Sequence, residues 1–257
     1  MEIVSPVILA DRHWPSVIDR FWATLSEHFD FGLDTSCGFH VHISPATGSY
    51  SISQLRNMAK AVIFWGPATA RCAPPSRQDR ILDFCQSNIR DVPCFEPLST
   101  YGPLRGLQHA YEYIDGADRD AILDYLCPDK YRAWNFKPSR VGGSGSIEHR
   151  RAPGVATTKK AKHWIAFTMA FLDMAAQFSP ESLAARVQAA QDLGTVSHPD
   201  FQVQLLTCAR HLGIYGILDP RLFQSDDPRT LHITTMLPEC LALLQEIDPD
   251  YHYSVNA

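Results

Sequence analysis

The chain has 257 residues, 45% of them hydrophobic and 20% charged, the balance of a soluble globular protein with room for one large core or two small ones. Its net charge of −5 and pI near 6.1 argue against nucleic acid or an anionic membrane as the main partner. No apolar run approaches the roughly 18 residues that span a bilayer, and the opening MEIVSPVILADRH lacks the basic region of a secretory leader, so a soluble cytoplasmic protein is expected.

Residues 2–9 (EIVSPVIL) are rich in β-branched side chains and read as a short strand, placed at an edge by Pro6, which has no ladder donor. Ile18, Phe21, Trp22, Leu25 and Phe29 recur on one face of a helix over residues 15–29. Residues 37–44 (CGFHVHIS) alternate without a helical period, between Ser36 and Pro45, and predict a second strand. Ser53 then starts a helix with Leu55, Met58, Ala59 and Val62 on one side. The Pro- and Arg-rich stretch 66–105 reads as irregular, with a shorter helix near 118–126. Residues 131–136 (YRAWNF) and 146–151 (SIEHRR) predict two further strands, joined by the turn-rich KPSRVGGSG as an antiparallel pair. Thr157 or Thr158 caps a helix through Phe178 that is apolar around most of its girth, and so packed on two sides.

Ser179-Pro180, Asp200 (with Phe201, Leu205, Ala209 and Leu212 in register and Gly213 as the stop) and residues 236–246 mark later helices. The expected fold is α+β: an antiparallel sheet with helices on one face over residues 1–178, and a helical extension over 179–257 packed on the same domain. The seven cysteines, an odd number with no Cys-x-x-Cys, point to free thiols in a reducing compartment rather than zinc or disulfides.

The chemistry-bearing residues sit on the predicted strands. His40 and His42, two apart, project to one face; Glu148 and Arg150 share a face by the same rule, with His149 and Arg151 opposite. Glu2 stands at the start of the first strand. Neutral imidazoles with carboxylates suit Mg²⁺ or Mn²⁺. An arginine beside them suits a phosphoryl group, because its fork can hold two of the oxygens. Gly38 lets another group approach the backbone closely. Plainer uses exist for each: strand histidines that only hydrogen-bond, a surface Glu-x-Arg ion pair, and Trp134 and Asn135 as core packing and a turn. A metal-dependent hydrolase that activates water with His40, His42 and Glu148 is open on the same residues.

Taken in order, these segments resemble the amidoligase family. SCGFHVHIS is similar to its Gly-x-His-x-His segment, EIVSP to the Glu-Leu-Val-Ser-Pro strand that precedes it in fungal members, residues 131–135 to its Tyr…Asn strand, and SIEHR at 146–150 to its closing Thr-Ile-Glu-Phe-Arg motif. The family lies in the glutamine synthetase and glutamate–cysteine ligase superfamily. The resemblance therefore implies that superfamily's catalytic core and an ATP-dependent carboxylate–amine ligase working through an acyl phosphate. It implies His40, Glu148 and Glu2 as metal ligands and His42 facing nucleotide phosphate or metal-bound water. Arg150 would lie on the γ-phosphate or acyl phosphate, Asn135 among the nucleotide-binding residues, and Arg77 or Arg80 on a phosphate or substrate carboxylate. ATP and Mg²⁺ or Mn²⁺ are the implied cofactors, and a small carboxylic acid and an amine the implied substrates.

The resemblance departs at the start. Family members open with a Gly-x-Glu-x-Glu strand whose carboxylates hold the metals, whereas Met1 here directly precedes Glu2 and no Glu-x-Glu occurs. Three descriptions stay open: a truncated ligase core, a divergent member with altered chemistry, or a non-catalytic scaffold that binds a small molecule or partners a full-length ligase. The strand edge at 2–9 is expected either to self-associate as a homo-oligomer or to be covered by a loop or the helical tail.

Overall fold

The computed structural model describes residues 3–78, 84–89, 103–179 and 198–219. Among them the elements run α1 (Trp14–His28), β1 (Gly38–Ile43), α2 (Ile52–Arg71), α3 (Pro103–Gly116), α4 (Arg119–Leu126), β2 (Trp134–Asn135), β3 (Ile147–Pro153), α5 (Thr158–Ala176) and α6 (His198–His211). The three strands form one antiparallel sheet in the order β1-β3-β2, so the protein is α+β as its sequence implies.

Local chemistry explains where the helices begin. Ser51 Oγ accepts the Gln54 backbone N–H at 3.1 Å while the Gln54 side chain accepts the Ser51 N–H at 2.9 Å. This reciprocal cap satisfies two donors that a helix start leaves open, and it starts α2 at Ile52, one residue before Ser53. Ser51→Ala is expected to lower stability by about 1 kcal/mol in a urea titration, the usual cost of removing an N-cap hydroxyl. Asp118 caps α4 through the Ala121 N–H, and Thr157 caps α5 through the Lys160 N–H.

α5 is the centre of the core. Ala161, Trp164, Phe167, Ala170, Phe171, Leu172 and Ala175 are all buried, which a helix achieves only when packed on more than one side. It lies against α1, α2 and α6 and beneath the sheet. Trp134 on β2 stacks on Phe171 at 4.2 Å and on His149 of β3 at 4.4 Å, joining the sheet's core face to the helix. Asp19 on α1 clamps the start of α5 by accepting from Thr158 Oγ1 and Lys162 Nζ, each at 2.8 Å. No helix of the described residues is long and apolar enough to cross a membrane.

Several expectations need correction. Residues 3–10 form no strand; Ile3, Val4, Val7 and Leu9 are exposed, and Val7 is 97% so. β-branched residues make a strand only where a ladder partner accepts them, and Pro6 removes one donor. Residues 3–9 therefore present no strand edge. The stretch 66–105 is not irregular throughout. α2 runs past Pro67 to Arg71, because burial of Ala68, Thr69 and Ala70 offsets the ladder bond that the proline removes. α3 begins at Pro103, a residue that suits the first turn of a helix, and buries Leu107, Ala110 and Ile114 at helical spacing. The strand expected over 131–136 shrinks to Trp134–Asn135. The helix expected to begin at Ser179-Pro180 falls, from Pro180 on, outside the described residues, as do the one over 236–246, Glu2 and Arg80.

Candidate active site

Glu148 sits on the central strand, and register supplies its neighbours. His42 of β1 pairs with it on one side and Asn135 of β2 on the other. Between Phe39↔Ala152 and Val41↔His149 the register shifts, so that His40 opposes both Arg150 and Arg151. This bulge re-aims side chains, as bulges beside functional sites do. It brings His40 Nδ1 within 3.2 Å of Glu148 Oε1, alongside His42 Nε2 at 3.5 Å and Arg150 Nη1 at 2.6 Å. The Asn135 amide donates to Oε2 at 2.8 Å and accepts the Lys137 N–H at 3.1 Å, which fixes its orientation. His40, His42, Glu148, Arg150 and Asn135 thus meet around one carboxylate.

The electrostatics follow from this crowding. Burial alone would raise the Glu148 carboxyl, but hydrogen bonds from His40, His42 and Asn135 and the Arg150 charge outweigh it and hold the group well below the usual carboxylate range. Arg150 is anchored a second time by Nε donating to the Phe84 carbonyl at 3.2 Å. Its Nη2 has no hydrogen-bond partner among the described residues. His42 turns Nδ1 to Ser146 Oγ at 3.2 Å and is half exposed, and His40 is about one-third exposed, so the imidazoles form the open side of the cluster.

Residue 149 shows what the opposite face does. The His149 ring is buried between Trp134, Trp164 and Phe167, with Thr168 Oγ1 3.3 Å from Nδ1. Burial, reinforced by the Arg151 charge, pushes its pKa down to about 3, so it is a neutral packing residue. The alternation read from the sequence separates site from core within one strand.

The family model described as "Putative amidoligase enzyme" matches residues 1–172, two-thirds of the chain, and this span contains the whole cluster. The chain belongs to the amidoligase family. No curated protein and no solved structure matches it.

For an amidoligase a divalent cation is the implied companion, and the cluster can be tested for it. The 3.2 Å between His40 Nδ1 and Glu148 Oε1 is close to the spacing of about 3.0 Å that adjacent octahedral ligands have around Mg²⁺. Yet that oxygen already carries the Arg150 guanidinium, and Glu148 is the one carboxylate in the cluster. Among the described residues no group of three or more His, Cys, Asp or Glu is arranged to hold a metal ion. Among the described residues, therefore, no complete cation site is assembled, and Glu2 lies outside them. What the cluster presents is a set of nitrogen donors around a neutralised carboxylate, which suits an anion.

Arg77 lies against Gly38 at the start of β1, where its Nη2 donates to the Cys37 carbonyl. Sequence reasoning missed Ser146 and Phe84. Ser146 lies two residues before Glu148, so the period-two rule that linked Glu148 to Arg150 would have found it. Phe84 contributes a backbone carbonyl, which no side-chain pattern announces.

Proposed function

We propose that this amidoligase-family chain is an ATP-dependent carboxylate–amine ligase with its site at Glu148. The observation that carries the reading is Arg150: a guanidinium held at Nη1 by Glu148 and at Nε by the Phe84 carbonyl, with Nη2 left to meet a ligand. A cation fixed before the ligand arrives stabilises charge on a transferring phosphoryl group without reorganising. Bound nucleotide supplies that group, and Mg²⁺ or Mn²⁺ accompanies its phosphates rather than resting in a cage of protein ligands.

In the proposed reaction a carboxylate oxygen of the acid attacks the γ-phosphorus, the bond to the bridging oxygen breaks, and ADP leaves. The amine nitrogen then attacks the acyl carbon of the mixed anhydride, phosphate departs with the C–O bonding pair, and the nitrogen loses a proton to give the amide. Arg150 holds the phosphoryl oxygens through both steps. Glu148 takes no bond in either; it aims Arg150, His40 and His42, and Asn135 fixes Glu148. His42, half exposed, faces the phosphates.

A second reading is favoured by the same carboxylate. With Arg150, His40 and His42 on Oε1 and Asn135 on Oε2, Glu148 is already satisfied, as it would be in a scaffold that binds a small anion without catalysis. Calorimetry on the full chain separates these. The ligase reading expects saturable binding of ATP with Mg²⁺, weakened at least tenfold, about 1.4 kcal/mol, by Arg150→Gln. Binding of neither ATP nor metal supports the repurposed scaffold, and binding of the divalent cation alone supports a hydrolase.

A further inference from the structure

Two hydroxyls continue the Glu148 cluster. His42 Nδ1 lies 3.2 Å from Ser146 Oγ, and Ser146 Oγ lies 2.8 Å from Ser144 Oγ. Ser146 precedes Glu148 along the chain and Arg150 follows it, so the hydroxyls flank the carboxylate on the side away from Arg150. Ser146 is 5% exposed, whereas Ser144 belongs to the exposed residues 141–144 of the turn that leads into β3. The turn holds both in place. Gly143 and Gly145 donate to the Arg140 and Pro138 carbonyls at 2.8 and 2.9 Å, and Ser139 Oγ donates to the Ser146 carbonyl at 2.7 Å. Gly145 has φ 74°, a conformation that side chains strain, and this bend brings the Ser144 hydroxyl back to Ser146.

The carboxylate sets the direction of each bond in this chain. Glu148 is ionised and only accepts, so Nε2, the His42 nitrogen that faces it at 3.5 Å, carries the proton. In the neutral imidazole Nδ1 is then a lone pair, and it takes the Ser146 O–H. Ser146 Oγ, having given its proton, accepts the Ser144 O–H. Ser144 Oγ has thus donated inward and turns only lone pairs outward. Hydrogen bonds in series polarise one another, which strengthens that last oxygen as an acceptor. Nitrogen donors such as Arg150 recognise anions; an amine needs the opposite, an acceptor for its N–H.

We propose that Ser144 Oγ, directed by Ser146 and His42, accepts an N–H of the amine substrate, ammonia or a primary amine. This deepens the ligase reading and rests on it, since that reaction brings an amine to this face. An amine held by one N–H keeps its nitrogen lone pair free for the acyl carbon. The phosphoryl group on Arg150 and the amine on Ser144 then flank Glu148 from opposite sides.

The test uses hydroxylamine as the amine. The full chain is assayed for hydroxamate with ATP, MgCl₂ and each of a panel of small mono- and dicarboxylic acids and amino acids, at varied hydroxylamine. Ser144→Ala is expected to lower kcat/KM for hydroxylamine roughly fivefold, the weight of one neutral hydrogen bond, with the KM for ATP unchanged. Ser144→Thr, which keeps the hydroxyl, should restore the wild-type value. Ser146→Ala should lower it likewise and the double variant no further, because Ser146 acts through Ser144. Should Ser146→Ala fail to fold, the exposed Ser144 variants still decide. Equal kcat/KM in wild type and Ser144→Ala means that water alone meets this hydroxyl; it overturns the subsite and leaves the ligase reading standing. A parallel rise in the KM for ATP also overturns it, as do losses from the two serines that add. Hydroxamate from no acid overturns both ideas together.

Discussion

Glu148→Gln is expected to lower the stability of the folded chain by about 3 kcal/mol and to abolish ATP-dependent turnover. The pair it breaks is mostly enclosed: the Glu148 side chain is 5% exposed and that of Arg150 14%. Removing one partner of a buried pair leaves the other charge uncompensated, at a cost of roughly 3–5 kcal/mol, and the amide's shape and remaining hydrogen bonds keep the loss at the lower end. Turnover is lost because Arg150, His40 and His42 all take their orientation from the same oxygen. The pH dependence identifies the cause. Folding depresses this carboxyl below its ordinary 4.5, so its contribution is complete above that pH and is lost as pH falls through the folded value. Urea titrations at pH 7 and pH 3 should show the variant and wild type converging as acid removes what the mutation removed. Equal stability at pH 7 would mean that the pair contributes nothing.

The second large effect is also electrostatic and lies on the other face of the same strand. His149, pushed down to about 3 by burial and Arg151, stays neutral in the folded chain at pH values where the unfolded chain, with its ordinary 6.5, has taken a proton. His163, pushed down to about 4 chiefly by burial, behaves alike. The unfolded state therefore binds more protons below pH 6.5. Stability is complete above that value and falls as pH drops, by about 1.4 kcal/mol per pH unit for each histidine. Between pH 6 and 4.5 the wild type should lose about 2.7 kcal/mol per unit and His149→Phe about half of that. A slope that His149→Phe leaves unchanged would place the ring in water.

What was legible in the sequence was whatever periodicity governs. Spacing of two put His40 with His42 and Glu148 with Arg150 on one face and buried His149 on the other, and the structure gathers them so. The helical period found α1, α2 and α5, whose buried stripes carry their own signal. The failures came where a partner decides. Residues 3–10 have strand composition, but composition cannot provide the neighbour whose ladder would hold them. The Pro- and Arg-rich composition of 66–105 hid the start of α3, although Leu107, Ala110 and Ile114 keep helical spacing, because a proline suits the first turn of a helix as well as a loop. The bulge that swings His40 onto Glu148 depends on cross-strand register, which residue type does not encode. Gly38 was read correctly as a place of close approach, but that the approaching group is Arg77, some 40 residues on, is a fact of tertiary packing.

Acyl-phosphate trapping tests the central claim most directly. The full chain would be incubated with ATP, MgCl₂, hydroxylamine and, one at a time, a panel of small mono- and dicarboxylic acids and amino acids. Ligase chemistry predicts that at least one acid yields its hydroxamate and ADP in equal amounts, and that Arg150→Gln yields neither. ADP formation no faster than in the protein-free blank for every acid, with hydroxamate absent throughout, would contradict it.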